Sequence, residues 1–168
     1  MALAYLITFT TYGARLHGSA KGSVDDEHNV YGTPFIETDS ERERRSKKTM
    51  TDLAYTMTPA EREIVRYAIV DLATERHWLL LAVHVRSNHV HIVVSAEREP
   101  ERIMSDLKAR ASRDLSVAGF DNSARRRWTR HGSTRHLFDE EHIEAAIRYA
   151  LDEQGERMAW YRKEPRTK

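Results

Sequence analysis

A chain of 168 residues, 40% of them hydrophobic, favours one domain with a single core of moderate size. It contains no cysteine, which excludes a disulfide framework, thiolate metal sites and cysteine hydrolases. A net charge of +1 argues for no partner on its own.

No apolar run approaches the roughly 18 residues that would cross a bilayer. Met1 to Tyr12 is apolar but alternates with threonines and lacks a basic leader, so it reads as a strand and not a signal peptide. A soluble cytoplasmic protein is expected. Residues 3–12 are rich in β-branched and aromatic types and form a first strand ending at Gly13. From about residue 17 to 56 the chain is polar, with the charged run Glu41 to Lys48, and reads as an insertion or long connection in a single domain. Arg42, Arg44, Arg45, Lys47 and Lys48 suit a solvated stretch.

A helix follows. Thr58 caps it, Pro59 fits its first turn, and Glu61 completes a capping box. Ile64, Val65, Ala68, Ile69 and Leu72 recur at helical spacing, and the helix should end near Arg76. Leu79 to Arg86 and His89 to Ser95 make an antiparallel hairpin across Ser87-Asn88. A second helix begins near Pro100, with Ile103, Met104, Leu107, Ala111 and Leu115 as its buried stripe and Gly119 as its stop. Asp121 to Phe138 is irregular and basic, with a short strand near His136 to Phe138. Asp139 caps a third helix whose apolar face is Ile143, Ala146, Ile147, Ala150 and Leu151, with Gly155 ending it. This order predicts an α+β fold: an antiparallel sheet with the helices packed on one face.

Charge is unevenly placed. Pro100 to Arg135 carries nine Lys or Arg against four Asp or Glu, while acidic residues gather at Asp25 to Glu27 and Asp139 to Glu144. A basic stripe of this kind suits a phosphate backbone, and equally a solvated helix face.

The residues richest in chemistry are His89 and His91. In a strand, side chains alternate, so both imidazoles share one face while Val90, Ile92 and Val94 take the other. Two imidazoles so placed can share one transition-metal ion and leave positions open for water or substrate. Two core histidines satisfied by hydrogen bonds would show the same pattern, and His84 reads either as their supporting partner or as a core residue. Tyr149 lies at the edge of the third helix's apolar face, with Glu153 one turn on and small residues, Ala145 and Ala146, before it. A phenol, of pKa about 10, attacks phosphorus only when the phosphodiester is polarised and aligned. A metal on His89 and His91 would supply that polarisation, and Tyr149 would form a covalent phosphotyrosine.

This arrangement resembles the HUH single-tyrosine transposases, which include the small insertion-sequence enzymes and the REP-associated tyrosine transposases. Further stretches carry the likeness: Tyr5 through Gly13, Val24 to Phe35, Ser87 through Val94, Arg127 through Arg135, and Tyr149 with Gln154-Gly155. The resemblance implies a ferredoxin-like fold, a single-stranded DNA substrate beside an imperfect hairpin, Mg2+ or Mn2+, and cleavage to a 5′-phosphotyrosine and a free 3′-hydroxyl. It leaves open a homodimer, with the tyrosine of one subunit over the histidines of the other, or a monomer. In that family a polar amide four residues after the tyrosine is the third metal ligand. Here that position is Glu153, which helix geometry favours, with Gln154 as the alternative if the helix unwinds at Gly155.

Lys108, Arg110, Arg113, Arg125, Arg126, Arg127, Arg130 and Arg135 are expected phosphate partners. Trp128 would stack on an unpaired base or anchor its loop. Three other readings stand beside the transposase: a rolling-circle nickase, a hairpin-binding module without catalysis, and a metal hydrolase in which water attacks.

Overall fold

The computed structural model describes residues 1–14, 41, 44, 54–121 and 124–165. Most of the polar connection, including Val24 to Phe35 and most of the charged run, lies outside them.

Among the described residues, five strands and three long helices follow in the order β1 (Ala4–Thr10), α1 (Pro59–Glu75), β2 (Leu79–Val85), β3 (His89–Ser95), α2 (Pro100–Val117), β4 (Ser133–Leu137), α3 (Glu140–Asp152) and β5 (Ala159–Arg162). They form one antiparallel sheet in the order β4-β1-β3-β2-β5. The first six elements are a β-α-β-β-α-β unit with strand order 4-1-3-2, the ferredoxin-like arrangement. Helix α3 and strand β5 are added to it.

The helix starts follow the local chemistry read from the sequence. Thr58 Oγ1 accepts from the Glu61 N–H, and the Glu61 carboxylate accepts from the Thr58 N–H at 2.7 Å, closing the capping box. Glu61 also accepts from the Tyr55 hydroxyl at 2.8 Å. Burial first, and then this carboxylate, push the Tyr55 phenol above its ordinary pKa. Asp139 caps α3 by accepting from the His142 N–H at 2.8 Å.

Strand alternation divides the core in two. Ile7, Phe9, Val83, Val85, Val90, Ile92 and Val94 turn to one face, under α1 and α2 with Val65, Ile69, Ile103, Leu107 and Leu115. Leu6, Ala82 and Val93 turn to the other, where Leu137 and the α3 residues Ile143, Ala146, Ile147, Ala150 and Leu151 cover them. The expectation of helices on one face therefore needs correction. Two helices pack there, and the tyrosine helix packs on the opposite face. A helical stripe shows that a helix is buried on one side, but not which layer it covers.

Two further differences concern chain order. Residues 127–137 run along the whole of β1, not merely near His136: β4 pairs with residues 4–8, Trp128 bridges Thr11, and the Tyr12 N–H donates to the Arg127 carbonyl at 2.7 Å. Gly132 sits in the gap, where a Cβ would lie 2.5 Å from the Thr8 carbonyl oxygen. Strand β5 was not anticipated, since four residues are too few to show a period.

Replacing Thr58 with alanine removes the cap acceptor, so Thr58→Ala should lower stability by about 1 kcal/mol. Urea unfolding followed by circular dichroism measures this, and an unchanged midpoint would mean that Glu61 and Tyr55 hold the helix start without the hydroxyl.

Candidate active site

β3 is the central strand, so its second face lies in the middle of the sheet. There His91 stands opposite Thr8 of β1 and His84 of β2, and His89 stands opposite Thr10. The two imidazoles predicted to share a face do so, with ring centroids 4.8 Å apart. Tyr149 reaches this face from α3, its ring meeting His91 edge to face at 5.4 Å. It is 39% exposed, as a residue at the helix edge should be. Tyr149, His91 and His89 thus form a contiguous cluster within one chain.

Neighbours orient both histidines. Nδ1 of His89 donates to the Asn88 side-chain carbonyl at 2.7 Å, which sets the tautomer of the neutral ring with its lone pair on Nε2. Nδ1 of His91 shares a hydrogen bond of 2.8 Å with the Thr8 hydroxyl. His91 is buried and His89 partly so. Imidazoles oriented through Nδ1 suit metal ligation through Nε2, so the donor set fits a divalent ion that takes two nitrogen ligands. Sequence reasoning passed over Thr8 and Asn88. The signal available was Thr8 and Thr10 at alternate positions of an otherwise apolar strand, which marks a polar row on one face.

The residues expected to supply a third ligand, Glu153 or Gln154, lie just past the end of α3. Among the described residues no group of three His, Cys, Asp or Glu side chains forms a metal cluster. Helix α3 ends at Asp152, and Glu153 is its exposed C-cap with ψ of 8°. Gln154 instead folds back, and its Nε2 donates to the Tyr149 carbonyl at 3.0 Å.

Of the two readings of His84, its bonds match the core residue, since they run to the backbone beyond β2 and not to His89 or His91. It is fully buried, with Nδ1 donating to the Ala150 carbonyl at 2.8 Å and Nε2 accepting from the Met158 N–H at 3.0 Å. Burial lowers its pKa below the ordinary histidine value.

The expected DNA contacts divide sharply. Arg127 is 2% exposed and donates to the Ser112 carbonyl, the Ser116 hydroxyl and the Phe120 carbonyl, so it builds the loop and does not face solvent. Trp128 is likewise a core anchor, its Nε1 donating to Ser112 Oγ at 2.8 Å and its ring against Phe9. Arg110 is held by Glu75 and Asp114 between α1 and α2, and Arg113 is exposed on α2, a helix on the sheet face opposite the histidines. Lys108 donates to the Thr129 and His131 carbonyls, and burial lowers its pKa to about 8. Arg126, over the Tyr12 ring, and Arg130 are exposed on the loop along β1, with Arg125 partly buried over Tyr55. Arg135 lies on β4 two residues from Leu137, and so on the face that carries the histidines.

A ferredoxin-like sheet that presents a His-x-His pair to a helical tyrosine agrees with the resemblance seen in the sequence. The chain belongs to the IS200-like transposase family, whose model matches residues 54–149 and so spans the capped helix, both histidines and Tyr149. Its fold is similar to that of a REP-associated tyrosine transposase solved bound to a REP hairpin, with a TM-score of 0.50 and 10% identity. The match covers 89% of this chain and 66% of that one. No curated protein matches the chain significantly in sequence. Among the described residues no helix is long and apolar enough to cross a membrane.

Loss of Arg127 would leave buried acceptors unfilled, so Arg127→Ala should cost about 2 kcal/mol or more. Arg126→Ala should stay within about 0.5 kcal/mol. Urea titrations of the two variants separate the roles, and equal midpoints would return Arg127 to the set of surface cations.

Proposed function

We propose that this protein is a metal-dependent transposase that cleaves and rejoins single-stranded DNA beside a hairpin, with Tyr149 as its nucleophile. The observation that carries this reading is the contact between Tyr149 and His91, from elements 58 residues apart in sequence, on one open face of the sheet. Family membership supports strand transfer as the reaction class. The hairpin as partner is supported by the likeness to a fold solved with one.

In this reading His89 and His91 hold one divalent ion, Mg2+ or Mn2+, through their Nε2 atoms. Such an ion, when bound, polarises a phosphodiester and neutralises charge that develops on its oxygens. The protein's own groups do the rest. Asn88 and Thr8 hold the rings in orientation. The Tyr149 oxygen forms a bond to phosphorus, and the P–O bond to the 3′-oxygen breaks. The phenol gives up its proton and the departing 3′-hydroxyl gains one. The 5′-phosphotyrosine keeps the energy of the broken bond, so a second 3′-hydroxyl can displace Tyr149 and rejoin the strand without ATP. Arg126, Arg130 and Arg135 contact phosphates on the approach to this face. In this reading Tyr149 acts at the histidines of its own chain, which the contact with His91 supports.

Incubation with Mn2+ and a labelled single-stranded hairpin from the flanks of the coding sequence tests the reading on a denaturing gel. A slow covalent adduct should appear and should be absent from Tyr149→Phe. Cleavage that persists in Tyr149→Phe without any adduct would instead identify water as the nucleophile.

A further inference from the structure

A helix leaves its last four carbonyls without partners inside the helix. In α3 these belong to Tyr149, Ala150, Leu151 and Asp152, so the nucleophile proposed above sits in the least constrained turn. No basic residue occupies that turn to offset the open carbonyls. Two side chains do so instead. Gln154 reaches back to the Tyr149 carbonyl, but from the exposed segment just after the helix. His84 reaches the Ala150 carbonyl from near the end of β2, where it is paired on both sides, with His91 and Trp160.

The position of His84 gives this bond its consequence. His84 is the cross-strand partner of His91, so it stands in the same row of the sheet as the histidine that Tyr149 touches. Its other nitrogen accepts from the Met158 N–H, which ties down the chain between α3 and β5. A ring that donates at Nδ1 and accepts at Nε2 must be neutral and in one tautomer. It is 0% exposed, so water cannot substitute for either partner. Arg86 adds a surface strap over the same segment by donating to the Glu156 carbonyl at 2.8 Å, but from a partly exposed side chain.

We infer that His84 is a positioning residue: a buried latch that fixes the last turn of α3 to the sheet and thereby holds Tyr149 over His91. The inference rests on Tyr149 as the nucleophile. It places in the core, and not in the metal set, a third histidine of the same sheet row. A latch of this kind acts on the alignment of the attacking oxygen and leaves DNA capture to other groups. Misplacement of a reacting group by about 1 Å costs roughly a hundredfold in rate.

Two substitutions separate the latch from a general packing role. His84→Leu keeps an apolar side chain of similar reach and removes both bonds. His84→Asn places an amide nitrogen where Nδ1 stood, which keeps the bond to Ala150 and gives up that to Met158. At saturating hairpin DNA and Mn2+, His84→Leu should form the covalent adduct about tenfold to a hundredfold more slowly, while His84→Asn recovers most of the rate. Hairpin affinity, read by anisotropy, and Mn2+ affinity, read by calorimetry, should stay near wild type in both. Amide hydrogen exchange at residues 149–158 should quicken in His84→Leu and much less in His84→Asn. Equal adduct rates in wild type and His84→Leu would overturn the latch. So would a parallel fall in rate, hairpin affinity and Mn2+ affinity that asparagine does not restore. If His84→Leu fails to fold, asparagine decides: a rate near wild type supports the latch, and one reduced as far as glutamine at the same position overturns it. Failure of Tyr149 as nucleophile would show separately, as an adduct surviving in Tyr149→Phe, whereas the exchange measurement reports the latch whatever the chemistry.

Discussion

The two-residue period of β3 is the constraint on which the rest of this structure depends. Val90, Ile92 and Val94 must enter the core beneath α1 and α2, and that register turns His89 and His91 to the other face. A slip of one residue would bury two imidazoles among aliphatic side chains and expose three valine or isoleucine side chains. Register is thus enforced by the hydrophobic layer, and the site inherits its precision from a face that takes no part in the chemistry. Pairing on both sides adds to this, because β3 lies between β1 and β2 and cannot shift without breaking two ladders.

The opposite face is only partly covered. Helix α3 lies over β2 and β3 with five buried residues, and its outer edge leaves Tyr149 between core and solvent. A fully buried phenol could not meet a phosphodiester, and a fully exposed one would have no fixed relation to His91. The half-buried position follows from the angle at which residue 149 leaves the apolar stripe. The end of the helix matters as much as its face. Termination at Asp152 sends Glu153 to solvent and returns Gln154 to the Tyr149 carbonyl, so the residues just past the helix serve its last turn.

The basic stretch between α2 and α3 combines two kinds of cation. Arg127 and Lys108 are spent on carbonyls and shape the loop along β1. Arg126 and Arg130 are then left on its exterior. Spending one arginine internally to present its neighbours is consistent with the cost of burying a guanidinium, which is tolerable only when acceptors surround it. The loop also reaches the site's own row: Thr129 bonds to Thr10, which stands opposite His89.

Much of this was legible in the chain itself. Thr58 with Glu61, and Asp139 before α3, are caps whose partners lie three residues away, so adjacency in sequence is adjacency in space. The shared face of His89 and His91 and the edge position of Tyr149 follow from the periods of strand and helix alone. What the chain could not show is where elements meet. Periodicity says that α3 hides one side, but only packing decides that it hides it against the face opposite α1 and α2. The charge of Arg127 is a property of the residue, whereas its burial is a property of Ser112, Ser116 and Phe120 gathered around it. The sequence by itself determined which residues carry chemistry and which of them share a face. Only the tertiary structure decided that His84 grips the helix of Tyr149 and that Arg127 is buried, because those outcomes turn on hydrogen bonds between elements far apart in the chain.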